Sequence, residues 1–413
     1  MLHVLVQAAD KAAERAGIGP GGFSPRKMIA HAERRSGRAL RDRTIEAPLT
    51  KLLRAYATEA NLSLFGGAAA KWDGVRCLTN LLRLEAEEER HPAILWEGIE
   101  KPIFITGLPR TGTTFLHTLA ALDPANRSPA CWQTIYPYPE AADRKRDRRS
   151  RRVTGQLRIF ERLTPGIGQL HPLSSEAPQE CTEITSQVFQ SMRFDTTHHV
   201  PSYQNWLEAQ GHTGAYRFHK RFLQHLQFQS GKGRWVLKCP DHVFAFDAID
   251  AIYPDARFVF VHRNPLSVLP SVAKLTALLR RPFTRELHPG AIGRQVTERW
   301  AQGARLIIER CKRSRKPDRI FHVHYDELTA KPLEVVAALY DRFGLEFSAS
   351  TYRKMADFIQ HTPRGGYGSN RYSFEEFGFE PQNLHERFAE YLSYFDISRR
   401  KTSDRRDQAL EVA

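Results

Sequence analysis

Apolar positions in the first hundred residues fall at helical intervals. Trp72, Val75, Leu78, Leu81, Leu82 and Leu84 recur at spacings near 3.6 residues, so residues 1–98 read as a helical N-terminal cap, broken at Gly17–Gly22 and Gly66–Gly67. From Lys101 the texture changes to short apolar runs, each followed by a segment of helical period. The runs are Ile103-Phe104-Ile105, Trp235-Val236-Leu237, Phe258-Val259-Phe260-Val261 and Ile320-Phe321-His322-Val323. Continuous apolar runs without alternation suit strands covered on both faces, and strands alternating with helices imply a parallel sheet between helical layers. The predicted class is α/β, with a main domain over 99–400. An insert over about 125–230 separates the first two runs, with helical stretches near 151–163, 178–193 and 214–229. Inserts at the carboxyl ends of parallel strands build substrate pockets. The polar stretch 401–413 reads as a frayed tail.

Composition narrows the class of protein. With 413 residues, 41% of them apolar and 26% charged, the chain reads as a folded soluble protein. It has no apolar run of about 18 residues and no leader of secretory layout, so a cytoplasmic location is expected. Five cysteines without a C-x-x-C pair suggest neither a disulfide framework nor a zinc cluster. His198 and His199 with Asp195 match no metal-ligand spacing, and no metal is expected. The net charge of +15 asks either for a polyanionic partner or for a site that holds a multiply charged small anion. The run RKRDRRSRR at Arg144–Arg152 reads as a solvated helix face or loop rather than a nucleic-acid patch, because it lacks interleaved aromatic side chains to stack on bases.

Two motifs carry the chemistry. PIFITGLPRTGTTFLHTLAALDP, residues 102–124, is a buried-type strand, a loop and the start of a helix, where free backbone N–H groups favour an anion. Gly107 and Gly112 let the backbone curl, and Thr113 and Thr114 add hydroxyl donors. The spacing is that of a Walker A loop, but Thr113 stands where the lysine would be and the cation lies inside the loop as Arg110. In RFVFVHRNPLSVLPSVAKL, residues 257–275, Arg263 ends a strand and Ser271 lies two turns into the next helix, so that the two can converge on one phosphate.

On these motifs the chain resembles the sulfotransferase superfamily. LPRTGTT is similar to that family's site for a 5′-phosphosulfate, in the arginine-bearing form of tyrosylprotein sulfotransferases and many bacterial members. Arg263 through Ser271 is similar to its 3′-phosphate site, and the likeness runs from about Leu81 to RYSFEEFGFEP. The resemblance implies a three-layer α/β/α, P-loop-like fold. It also implies 3′-phosphoadenosine 5′-phosphosulfate (PAPS) as donor, 3′-phosphoadenosine 5′-phosphate (PAP) as product, and no metal. Gly107, Arg110, Thr111, Gly112, Thr113 and Thr114 would hold the 5′ end, Arg263 and Ser271 the 3′-phosphate, and Tyr325 would lie against the adenine. Arg371, with Arg364 in the loop TPRGGYGSNRYS, would close over the 3′-phosphate.

The resemblance also points to the segment RWVLKCPDHVF, with Lys238 at a strand end and His242 at the start of a helix, as the general-base pairing. Glu180, in SSEAPQECTE with Glu176, is the second candidate for the base or for orienting the acceptor. The acceptor is expected to be a hydroxyl or amine of a small molecule or lipid. A P-loop kinase is disfavoured by Thr113 and by a strand ending in His262-Arg263 instead of an acid, and a nucleic-acid-binding protein by the character of the basic run.

Overall fold

The structure is a computed structural model and describes residues 2–139, 147–362 and 373–397. At its centre stands a five-stranded sheet of β1 (Ile103–Gly107), β2 (Asn126–Arg127), β3 (Arg234–Lys238), β4 (Arg257–His262) and β5 (Ile320–His324). The strand order is β2-β3-β1-β4-β5 and every pairing is parallel, with Ile105 opposite Lys238 and Gly107 opposite Val261. The four apolar runs are four of these strands. Successive side chains leave a strand on opposite faces. Accordingly Phe104, Phe258 and Phe260 enter one buried cluster, while Ile103, Ile105, Val259 and Val261 enter another on the opposite face. Helices cover both faces, which gives the three-layer arrangement the sequence predicts.

β2 is the strand the apolar pattern does not reveal. It is two residues long and polar, and it sits at the sheet edge through the bond from the Arg234 amide to the Ala125 carbonyl (3.0 Å) and the Asn126 amide side chain bonded to the Ala120 carbonyl (2.7 Å). Two of the expected insert helices form, as Arg149–Leu163 and Thr213–Ser230. The helix expected over 178–193 does not. It is divided into Thr182–Thr185, a 3₁₀ turn Ser186–Val188 and, beyond the break, Arg193–Thr197. Phe189 makes that break with φ +56°, a left-handed conformation held by the Tyr203 hydroxyl donating to its carbonyl (2.8 Å).

Four helices precede the sheet: Leu2–Arg15, Pro25–Ser36, Glu46–Thr58 and Leu64–Arg90. Their apolar faces do not form a separate core, because Leu49, Leu53, Leu78 and Leu82 belong to the same buried cluster as Phe104. Gly66 and Gly67 do not interrupt the last helix as the sequence suggests; they lie in its first turn, capped by the Ser63 hydroxyl accepting from the Gly66 amide (3.0 Å). Their role is close approach. A Cβ on Gly66 would lie 1.9 Å from the Phe283 carbonyl oxygen, and one on Gly67 2.2 Å from Pro20. Gly66→Ala is therefore expected to lower unfolding free energy by about 1–3 kcal/mol, the usual cost of overpacking, in a denaturant titration. An unchanged midpoint would mean that the contact yields freely.

Candidate active site

The chain leaves β1 through Gly107, where φ is +138° and a Cβ would stand 2.4 Å from the Val261 carbonyl oxygen of β4. Arg110 (φ +63°) and Gly112 (φ +91°) are both left-handed, and they turn the loop so that the Thr113–Ala121 helix begins at its far side. A non-glycine residue held at positive φ costs of order 1 kcal/mol, a strain that clusters at ligand sites. Thr111 is fully buried and its hydroxyl donates to the Leu108 carbonyl (2.8 Å), which fastens the loop from within. The loop and helix N-terminus together make the first corner, where free backbone N–H groups suit an anion.

The second corner lies beside it, at the end of β4. Asn264 caps the Pro265–Arg280 helix by accepting from the Leu266 amide (3.0 Å), and Pro265 takes the first helical position. The Arg263 guanidinium lies 4.0 Å over the Tyr325 ring and donates to the Arg110 carbonyl (3.2 Å). Arg110 in turn donates from Nε to the Ser271 hydroxyl (3.0 Å) and from Nη1 to the Leu170 carbonyl (2.6 Å). The residues read from two separate motifs thus meet, and Arg110 spans from the loop to Ser271. Tyr325 also packs on the loop, since a Cβ on Gly112 would come within 3.1 Å of its ring. Arg364 and Arg371 lie outside the described residues.

A third group closes the arrangement. Lys238, at the end of β3 and only 2% exposed, donates to the Thr114 hydroxyl (3.1 Å) and to Glu180 Oε1 (2.6 Å). Glu180 is carried there by a parallel backbone bridge to Lys238, in which the Cys181 amide donates to the Lys238 carbonyl (3.2 Å). Burial by itself would raise the Glu180 carboxyl, but the charges of Lys238 and then His171 outweigh it and hold the group below the usual carboxylate range.

His242 is placed differently from the sequence reading. Pro240–Phe244 is a 3₁₀ turn and the following α-helix starts only at Phe246, so His242 does not open a helix at the sheet edge. Its ring is fully buried, edge-on to Phe104 with centroids 4.9 Å apart, and Nδ1 is bonded to the Tyr216 hydroxyl. Burial first, then His219, Lys238 and His117, push the imidazole well below its ordinary range. The neighbouring Asp241 lines the cleft instead. Burial raises its carboxyl to about 6 against the pull of Arg299. The sequence does not mark Asp241 or His171: Asp241 lies inside RWVLKCPDHVF and His171 three residues before SSEAPQECTE, but nothing in their spacing distinguishes them.

Arg110, Thr113, Thr114, Glu180, Asp241, Arg263, Ser271 and Tyr325 line one cleft of about 2360 Å³. Apolar side chains make up much of its remaining wall: Phe65 and Trp72 of the Leu64–Arg90 helix, Leu157 and Phe160 of the Arg149–Leu163 helix, and Leu279 and Phe283, with Asp73, Arg76, Arg193 and Arg280 among them. Insert and N-terminal helices therefore both contribute walls.

Sheet order and the strand–loop–helix corner define an α/β protein of the P-loop kind whose loop lacks the Walker lysine. The chain belongs to the sulfotransferase family, whose family model matches residues 102–349. Among curated proteins it is similar to the omega-hydroxy-beta-dihydromenaquinone-9 sulfotransferases Stf3 of Mycobacterium bovis and Mycobacterium tuberculosis, each 24% identical over 257 residues. That alignment takes in 60% of this chain and 63% of the relative, so the chain spans less than two thirds of the length of these relatives. Among solved structures it is similar to sulfotransferase STF1 from Mycobacterium tuberculosis, with 29% identity, a TM-score of 0.77, and 89% of this chain and 98% of that one covered. Sulfotransferase STF9 from Mycobacterium avium gives 27% identity and a TM-score of 0.79, with 90% and 96% covered.

Proposed function

We propose that this protein transfers a sulfuryl group from PAPS to a hydroxyl or amine of a small-molecule or lipid acceptor. The observation that carries the reading is the joining of the two motifs through Arg110, beside an ion pair in which buried Lys238 holds Glu180 at the wall of the cleft. Two separated anion sites suit a 3′,5′-bisphosphorylated adenosine better than a linear triphosphate. Loop amides with Thr113 and Thr114 would hold the 5′ end, and Arg263 with Ser271 the 3′-phosphate. Tyr325, already under Arg263, would bound the adenosine side. The N-terminal cap of residues 1–98 and the insert would enclose the acceptor. Five cysteines, all free, are compatible with action in the reducing cytoplasm.

The donor supplies an activated sulfuryl group. The acceptor oxygen or nitrogen forms a bond to sulfur as the bond from sulfur to the 5′-phosphate oxygen breaks, and PAP departs with that electron pair. Glu180 takes the acceptor proton, being ionised at neutral pH and within the cleft. Lys238, bonded to both Glu180 and Thr114, brings positive charge to the boundary between base and loop, where negative charge builds on the leaving phosphate. His242, enclosed by Phe104 and Tyr216, is assigned to packing.

The reading is tested by calorimetry of the full chain without magnesium. PAP is expected to bind at least tenfold more tightly than ADP, the discrimination of a charge-assisted contact. Equal affinities would remove the assignment of a 3′-phosphate site.

A further inference from the structure

The Arg149–Leu163 helix has two unlike faces. Inward, Val153 is buried and Gln156, Leu157 and Phe160 line the cleft. Outward, Arg151, Arg152, Arg158, Ile159 and Arg162 are exposed, and the exposed Arg148 precedes them at the cap position. Positions 148, 151 and 152 and, past Gly155, 158, 159 and 162 fall on one side of the helix, so they form one stripe about 20 Å long. Glu161 is the one acid within this helix, and Asp147 is committed to Arg149 (2.6 Å).

The helix's own stability does not account for this arrangement, because cations crowd its N-terminal turn, where the macrodipole disfavours them. Beside that turn is a second cavity, of about 390 Å³, lined by Arg83, Arg148, Arg149, Arg151 and Arg152 together with Tyr136. Next to the stripe, the cleft rim exposes apolar side chains: Ile159 at 52% and Trp72 at 48%, both of which also line the cleft. The Leu2–Arg15 helix packs across both wall helices, tied down by Asp10 accepting from the Phe65 amide (2.9 Å), and presents Val4 at 55% and Leu5 at 62% exposure.

We propose that this face docks the protein on an anionic lipid bilayer, with phosphate headgroups meeting the arginine stripe and its small cavity while the apolar rim meets the acyl boundary. A basic stripe beside exposed aliphatic residues is the chemistry of a bilayer interface. Single-stranded nucleic acid would call for open ring faces along the stripe, whereas position 159 is Ile and the neighbouring Trp132 and Tyr136 rings already carry the Arg149 and Arg152 guanidinium groups (4.5 and 4.4 Å). The docking surface stands on exposure and charge alone. Its purpose, presenting the cleft mouth to a lipid acceptor, rests on the function proposed above.

Flotation of the full chain with vesicles tests the inference. Binding is expected to vesicles of phosphatidylcholine mixed with phosphatidylglycerol, to weaken as salt rises, and to be absent with phosphatidylcholine alone. The triple variant Arg151→Gln, Arg158→Gln, Arg162→Gln is expected to lose at least about tenfold in partitioning, with its thermal melt and PAP affinity unchanged. No flotation with either vesicle, equal flotation with both, or a triple variant that floats like the parent would each overturn the proposal. So would tighter binding to duplex DNA than to the mixed vesicles. Failure of PAP binding with flotation intact would instead remove the sulfotransferase reading and leave the docking surface standing.

Discussion

Glu180→Gln is expected to cut turnover by about 10²–10⁴, the usual contribution of a general base, while PAP affinity stays within a few-fold of the parent. Glutamine keeps the shape and can still accept a bond from Lys238, so what is lost is the ability to take a proton. The pH profile is a second check. The Glu180 carboxyl is held below the usual carboxylate range, chiefly by Lys238 against the opposing effect of burial, so it is ionised throughout the neutral region. Its contribution is lost only as pH falls through that depressed value. An acid limb near pH 6 would point to Asp241, whose carboxyl burial raises to about 6. His242→Ala separates the remaining candidate. Enclosed under Phe104, its loss is expected to appear in the thermal melt, with turnover per folded molecule retained. The reverse pattern, with turnover lost in His242→Ala and kept in Glu180→Gln, would return the base to the histidine.

Arg263→Ala is expected to weaken PAP binding by about 1.5–3 kcal/mol, or ten- to a hundredfold, with little effect on ADP. The argument is geometric. Arg263 is held by the Tyr325 ring on one side and the Arg110 carbonyl on the other, so its guanidinium is already oriented and little rotamer freedom remains to be lost on binding. Ser271 shares the corner through its bond to Arg110 and should show a smaller effect of the same kind. Calorimetry with both nucleotides reads this directly. A loss of the same size for ADP would mean that Arg263 serves the 5′ end or the loop, and the 3′-phosphate assignment would fall.

The parts legible in the sequence are those whose signal is local. A buried parallel strand needs a continuous apolar run, and four such runs became β1, β3, β4 and β5. The loop was legible because its left-handed turns demand residues such as Gly112, and the second corner because Arg263 and Ser271 lie on one strand–helix junction. What was not legible depends on contacts between distant segments. β2 has no apolar pattern and exists through its bonds to Arg234 and Ala120. Glu180 could be picked as a carboxylate, but its bond to Lys238 joins residues 58 apart in the chain. The misplacement of His242 came from reading a 3₁₀ turn as the start of an α-helix, which moves a side chain from the sheet edge to the core within a few residues.

The continuity of the core beneath β1 sets what can be cut from this chain. Leu49, Leu53, Leu78 and Leu82 lie before the stretch of 102–349 that matches the family, yet they seal the same cluster as Phe104 and Phe258. Trimming to the matched stretch would remove the N-terminal share of that cluster, expose the apolar side chains it covers and strip the cleft of Phe65 and Trp72. The borders of shared ancestry and the borders of a unit able to fold by itself are therefore different in this protein, and any excised fragment meant to fold has to begin well upstream of the Gly107–Thr114 loop.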